Sequence, residues 1–363
     1  MDKIIACNNI LKSKNRWVIA PHYKERLRYL DFVKGFAILI FLLSHSIAEE
    51  NGLQAWITSF NMPVFFMVTG ILNGRRFDDK TPDKSDILVL IKKRVFQLGI
   101  PYLIWSTVIS LFYIALEYLS HSKVNASYYF IRILTFQGME SMWFIPVIFF
   151  AELLLVVSLM NKCTRYLISA LAFIASNLYC IFIGDNLFDQ QLYIMLIRVC
   201  VKILIAYVFV YLGYMIYKTE ALECIPAWAC IPMLIAGIVL SQFNGSIGIG
   251  AVIIGNPILF WVNAIITSLA VIVFFRFLEN TRIGNHLGLF EYYGKYTIVV
   301  LCTNNLLIEV IRLLDSKLTG NVLISLGLLG SFILAFILAV LEYPLIMLAK
   351  GKLGFLFGKK RKS

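Results

Sequence analysis

The sequence predicts an all-α, polytopic integral membrane protein of about ten transmembrane helices, and three observations carry that prediction. Of its 363 residues, 60% are hydrophobic and only 15% are charged, with a mean hydropathy of +0.81. A soluble domain carries about 25% charged residues and cannot hide this much apolar surface in one core. Apolar runs of about 17–25 residues, the length a bilayer asks of a helix, recur along the chain. Lys and Arg, finally, gather in alternate segments between those runs.

The runs place spans at 33–48, 55–72, 95–119, 142–160, 166–183, 192–217, 227–241, 256–278, 297–314 and 322–349. The seventh is short and is followed by the glycine-rich stretch Asn244–Gly255, which suits a re-entrant or broken helix. Between the second and third spans, Asn73–Arg94 has helix-like apolar spacing in its second half and is expected to lie along the membrane surface. Pro63, Pro101, Pro146, Pro257 and Pro344 are expected to begin or kink helices. No internal repeat of the kind that builds many transporters is evident.

Charge orients these spans. Of the 33 Lys and Arg, 25 fall in segments on one side, three (Lys123, Arg132 and Lys317) on the other, and five within spans. By the positive-inside rule both termini are then cytoplasmic. The chain reads as one transmembrane domain over 1–363, with a basic segment at 1–31 and a basic tail at 350–363. The net charge of +12 is thereby a matter of topology, and no nucleic acid partner is expected; the partner is the lipid bilayer. Seven scattered cysteines form no CxxC pair, so neither a disulfide framework nor a zinc site is expected, and no bound metal or cofactor. No small-residue cleavage pattern follows the first run.

Ionisable groups inside hydrocarbon are costly, so each is a functional candidate. Lys34 and His45 lie eleven residues apart, about three turns plus 20°, which puts them on one helix face about 16 Å apart along the axis. Asp31 shares that face with Lys34 and either orients it or caps the positive helix end. Arg198 and Lys202 form an i,i+4 pair of like charges that needs an anionic partner, for which Glu152 or an acidic ligand are candidates. Glu309 and Arg312 form an opposite pair at i,i+3.

The stretch RLRYLDFVKGFAILIFLLSHS (Arg26–Ser46) resembles the first helix of the membrane-bound acyltransferase 3 family, whose signature is a basic residue, ten residues and a His. FNMPVFFMVTGILNGRR (Phe60–Arg76), KKRVFQLGIPYLIW (Lys92–Trp105) and SMWFIPVIFFAELL (Ser141–Leu154) resemble its next three helices. LGYMIYK (Leu212–Lys218) and EYYGKYTIVVL (Glu291–Leu301) are similar to weaker late features. The nearest subgroup in flavour is related to fucose O-acetylases, where Lys-Gly precedes the His. Four positions depart from the usual pattern: Lys34 for Arg, Asn61 for His, Gln97 for the second Arg of a basic pair, and Thr303 or Asn304 for a late His.

The resemblance implies transfer of an acyl group, usually acetyl from cytoplasmic acetyl-CoA as co-substrate, to a hydroxyl of an exported or cell-surface glycan, by a multi-pass protein of the bacterial cell membrane. It makes His45 and Lys34 the catalytic candidates, His45 either taking the hydroxyl proton or carrying the acyl group. Acetyl-CoA is polyanionic, and Arg75, Arg76, Lys93 and Arg94 are the candidates that bind it, although the positive-inside rule alone would also put them there. Asp31, Asn61, Trp143, Glu152, Arg198, Lys202 and Glu309 are candidate supporting residues, Trp143 as a sugar-stacking ring or an interfacial anchor. A glycan exporter and a non-catalytic subunit of polysaccharide assembly are the alternatives.

Overall fold

A computed structural model describes residues 26–78, 80–121, 124–183 and 192–359. The basic N-terminal segment up to residue 25, and the last four residues of the tail, lie outside the described residues. Ten helices among the described residues are long and apolar enough to cross a membrane. They are α1 (Arg28–Ser46), α2 (Gly52–Arg76), α3 (Lys84–Leu119), α4 (Glu140–Leu159), α5 (Lys162–Phe182), α6 (Leu192–Lys218), α7 (Ala227–Asn244), α8 (Pro257–Glu279), α9 (Thr297–Leu318) and α10 (Gly327–Lys350). Each predicted span falls on one of them, so the all-α polytopic reading holds.

Packing sorts these helices into a centre and a rim. α1, α2, α4, α6 and α8 bury most of their length, whereas α5, α7 and α10 leave rows of Leu, Ile and Phe exposed. Exposed apolar rows are what a helix presents to lipid. Two close approaches of backbone set the centre. Gly70 of α2 and Gly213 of α6 lie against the carbonyls of Val210 and Met67, where no side chain fits. Gly35 of α1 and Gly294, in the short helix Gly288–Lys295, lie in the same way against the carbonyls of Phe290 and Asp31. That second contact explains the glycine after Lys34: it lets Gly288–Lys295 pack directly on the turn of α1 that carries Asp31 and Lys34.

Three segments differ from the sequence reading. Lys84–Arg94 is no separate surface helix; it runs through a π-helical turn at Val95–Gly99 into Ile100–Leu119, giving a helix of 36 residues. At ~1.5 Å per residue this is ~54 Å, longer than hydrocarbon needs, so its first turns project on the basic face. The cluster Lys92-Lys93-Arg94 interrupts the apolar run and hides this continuity in the sequence. The π turn directly precedes Pro101, which has no N–H to return to the Gln97 carbonyl. The stretch after α7 folds back with only one 3₁₀ turn, Ile249–Ala251, and no α-helix. It is pinned by an antiparallel bridge between Gly248 and Ile253, and Ile247, Ile249, Val252 and Ile254 are buried. The tenth span is divided by Gly327 at φ 56°, with Val322–Ser325 as a separate turn.

Both described ends of the chain meet at Gly288–Lys295. Arg28 pairs with Glu291 at 2.9 Å, and Lys350 and Lys359 lie over Tyr292 and Tyr296. This end of the bundle also carries Arg75, Arg76, Lys93 and Arg94 and is the basic face.

Candidate functional site

Three cavities follow one another along α1, and the residues that line them give their order. The innermost, of about 180 Å³, is lined by Lys34, Thr69, Arg94, Glu152 and Thr297, nearest the basic face. The central one, of about 190 Å³, is lined by His45, Asn61, Ser141, Trp143 and the loop residues Ile247–Gly250. The third, of about 430 Å³, opens toward the opposite face and is lined by His45, Gln54, Arg312, Asp315 and Ser331. Phe144 and Leu301 line both the first and the second, and so divide them. His45, Ser44 and Thr58 stand between the second and the third. One stripe of α2 serves all three cavities, because Gln54, Thr58, Asn61, Phe65, Thr69 and Leu72 recur every three or four residues.

At the basic end, Asp31 is 4% exposed and bridges two cations, Lys34 Nζ at 2.9 Å and Arg26 at 2.8 Å. The i,i+3 spacing read from the sequence therefore makes the expected contact. Across the cavity Arg94 donates Nε to Glu152 Oε2 at 2.6 Å and a terminal nitrogen to Oε1 at 2.8 Å. Asn73 adds a third donor to Oε1 at 3.0 Å. Glu152 thus belongs to Arg94, and the expectation that it neutralises Arg198 and Lys202 is corrected. Arg94 also donates to Gln97 Oε1 at 3.2 Å, so the glutamine that replaces the family's second arginine still serves the first. Arg75, Arg76 and Lys93 do not line this cavity; Arg76 rests 4.9 Å over the ring of Phe77.

His45 lies one turn beyond Phe41, and the centroid of its ring is 4.1 Å from that of Phe41 with the two planes tilted. Its Nδ1 is 3.1 Å from the Phe41 carbonyl, which can only accept, so Nδ1 carries the proton. Nε2 is then the lone-pair nitrogen, the one a base or nucleophile uses. Arg312 donates to the His45 carbonyl at 3.1 Å. It forms no ion pair with Glu309 among the described residues, which corrects the pairing read from their spacing. The i,i+3 relation had placed the two charges on one face, but the carbonyl at the end of α1 takes the guanidinium instead.

Asn61 is 3% exposed and its Oδ1 has no hydrogen-bond partner among the described residues, a buried acceptor facing the His45 cavity. Ser141 donates to the Leu301 carbonyl at 3.0 Å and accepts from Asn305 at 2.9 Å, which ties the mouth of α4 to α9. Trp143 presents its ring to Lys202 Nζ at 5.4 Å, and the ammonium donates to Gln137 Oε1 at 2.5 Å. The backbone of Gly250 packs on the indole of Trp143, so the re-entrant loop forms the roof of the central cavity. Thr303 donates to both oxygens of the fully buried Glu342, while Asn304 bonds to Asn305 and accepts from Ser141.

Sequence reasoning missed the dividing pair Phe144 and Leu301, the roof loop, and Asp315, whose Oδ2 accepts from the Leu323 N–H at 3.0 Å. Asp315 had a signal, being an acid near a span end, and the roof loop had its glycines; Phe144 and Leu301 had none beyond their apolar character. Among the described residues no group of His, Cys, Asp and Glu is arranged to hold a metal ion.

Ten membrane-length helices that line a series of cavities carrying Lys34, Arg94, His45 and Arg312 define a polytopic membrane protein with ionisable groups placed inside its bundle. Residues 27–340 match the acyltransferase domain of the acyltransferase 3 family, and the chain belongs to that family. It is a membrane acyltransferase. No curated protein and no solved structure matches the chain.

Proposed function

We propose that this acyltransferase moves an acetyl group from cytoplasmic acetyl-CoA to a hydroxyl of an exported or cell-surface glycan, as the fucose O-acetylase-like subgroup is understood to do, in the bacterial cell membrane. The observation that carries the reading is the series of cavities: Lys34 and Arg94 line the one nearest the basic face, and His45 lines both of the others. The donor's thioester end passes Lys34 and Arg94 and reaches the central cavity past Phe144 and Leu301. The acceptor hydroxyl comes from the opposite face through the cavity of Arg312 and Asp315.

His45 Nε2 takes the hydroxyl proton while the oxygen attacks the thioester carbonyl; the tetrahedral intermediate then expels the CoA thiolate, which takes up the proton. Base catalysis is favoured over an acyl-histidine because acceptor and donor cavities meet at the same ring, so no carrier step is required. Lys34 and Arg94 face the anionic donor, and their carboxylates Asp31 and Glu152 hold them in place.

The test is incorporation of labelled acetyl from acetyl-CoA into surface glycan, in membranes that hold matched amounts of each variant. His45→Ala should lower transfer by ~10²–10⁴-fold while leaving CoA binding intact. Near-normal turnover by that variant ends the histidine mechanism. Unlabelled glycan with build-up of intracellular polysaccharide on deletion of the gene favours an exporter.

A further inference from the structure

The chain after α10 turns back along the basic face. Lys352–Phe357 forms a 3₁₀ turn in which Phe357 stacks on Trp105 of α3 at 5.2 Å, and Trp105 Nε1 donates to the Leu356 carbonyl at 3.2 Å. Gly358, at φ 69°, then lies directly against the carbonyl of Gln97, a position only glycine fills without strain. This anchoring delivers Lys359 to Tyr296, with Nζ 3.8 Å from the ring centroid. Lys350, at the end of α10, reaches the same ring at 5.0 Å and that of Tyr292 at 4.1 Å.

Two ammonium groups thus converge on one tyrosine ring, and no carboxylate among the described residues pairs with either. The nearby acid, Glu291, is already taken by Arg28 and Lys295. Burial, and then the charge of Lys350, push the Lys359 amine below its ordinary value, the sign expected of cations held together without an anion. Their position matters as much as their charge. Tyr296 directly precedes Thr297, and Gln97 directly precedes Leu98; Thr297 and Leu98 both line the cavity of Lys34 and Arg94. The lysines therefore stand outside that cavity but against the chain neighbours of two of its lining residues, at the ends of α3 and α9 that face the basic side. Lysines that served only to snorkel into lipid headgroups would need no folded-back segment to place them.

We infer that Lys350 and Lys359 form a phosphate-binding site that holds the phosphorylated nucleotide end of the acyl-CoA donor while its thioester arm enters past Lys34 and Arg94. This rests on the donor proposed above. Tyr292 and Tyr296 supply the apolar floor beneath the nucleotide, and the lysines supply charge-assisted donors to its phosphates. A phospholipid headgroup offers the same phosphate chemistry, so the experiment separates the two sources.

The full-length chain, purified in neutral detergent, is titrated with CoA and with pantetheine, which lacks the nucleotide. The unaltered chain should bind CoA more tightly than pantetheine. Lys350→Gln and Lys359→Gln should each weaken CoA roughly tenfold and leave pantetheine unchanged, and Lys359→Arg should keep most of the affinity. Equal CoA affinity in the unaltered chain and both glutamine variants overturns the site while leaving the donor reading standing. Variants that bind CoA normally but lose a response to phosphatidylglycerol vesicles assign the lysines to lipid and also overturn it. An unaltered chain that binds neither compound overturns the donor reading and this site with it.

Discussion

The pair Arg94 and Glu152 is a buried ion pair that also lines the proposed donor cavity, and a double-mutant cycle separates stability from donor binding. The Glu152 side chain is 3% exposed and that of Arg94 is 28% exposed. Arg94→Gln leaves a buried carboxylate with Asn73 as its remaining donor, and removing one partner of such a pair costs about 3–5 kcal/mol. Glu152→Gln strands a guanidinium that still reaches the cavity and Gln97, so its cost is smaller, about 1–3 kcal/mol. The double variant places two neutral amides face to face and should recover most of the loss, a coupling of about 2 kcal/mol or more. In thermal unfolding at a fixed scan rate in detergent, Arg94→Gln should fall on the order of 5–10 °C below the unaltered chain. The double variant should return to within a few degrees of it. Donor saturation gives the second readout. If Arg94 also binds the donor, the double variant keeps a raised KM for acetyl-CoA although its stability is restored. Losses that simply add in the double variant refute the pairing argument, and an unchanged KM returns Arg94 to a structural role.

Two further outcomes follow from the same geometry. Gly250→Val drives a side chain into the indole of Trp143, an overpacking of about 1–3 kcal/mol in the roof of the His45 cavity, and should raise KM for the acceptor more than for the donor; equal effects on both would show that the roof does not face the acceptor. Glu291 is partly buried, which raises its pKa, but hydrogen bonds and charge from Lys295 and Arg28 outweigh burial and hold it below the ordinary carboxylate value. Its stabilisation is therefore complete above the unfolded-state pKa and lost as pH falls through the depressed one, so the stability gap between the unaltered chain and Glu291→Gln should stay constant at neutral pH and close as pH falls below the ordinary carboxylate range. A gap that ignores pH in that range would mean that Glu291 acts through packing alone.

How far the sequence could be read depended on the range of each interaction. Helices were legible because length and apolar composition are local properties, and Asp31, Lys34 and His45 because one helix fixes their phase. The partner of Glu152 was not legible: Arg94 and Lys202 are both cations in or beside apolar runs, and only the packing of α3 on α4 decides between them. Arg312 was singled out, but its true acceptor is a backbone carbonyl, which has no signature in composition. The roof loop was marked by its glycines, yet four buried aliphatic residues and a single β-bridge gave no periodicity to read. The basic tail was accounted for by membrane orientation alone, and that account gave no reason to look for the aromatic rings beneath it.

Phe144 and Leu301 carry a consequence of another kind. A protein that admits polar molecules from both sides of a membrane is one short step from being a pore. Here the cavity of Lys34 and that of His45 are kept apart by a phenylalanine, stacked 5.2 Å from Phe66, and a leucine buried in α9. In an energised membrane the potential, about 2.3 kcal/mol per elementary charge per 100 mV, falls mostly across whatever stretch excludes water, and an apolar pair between two cavities is such a stretch. The same two side chains that the proposed thioester arm would pass then stand between the two sides at this point. Trimming them would join the two cavities, and a passage widened for a larger proposed acyl group would be a passage for protons as well.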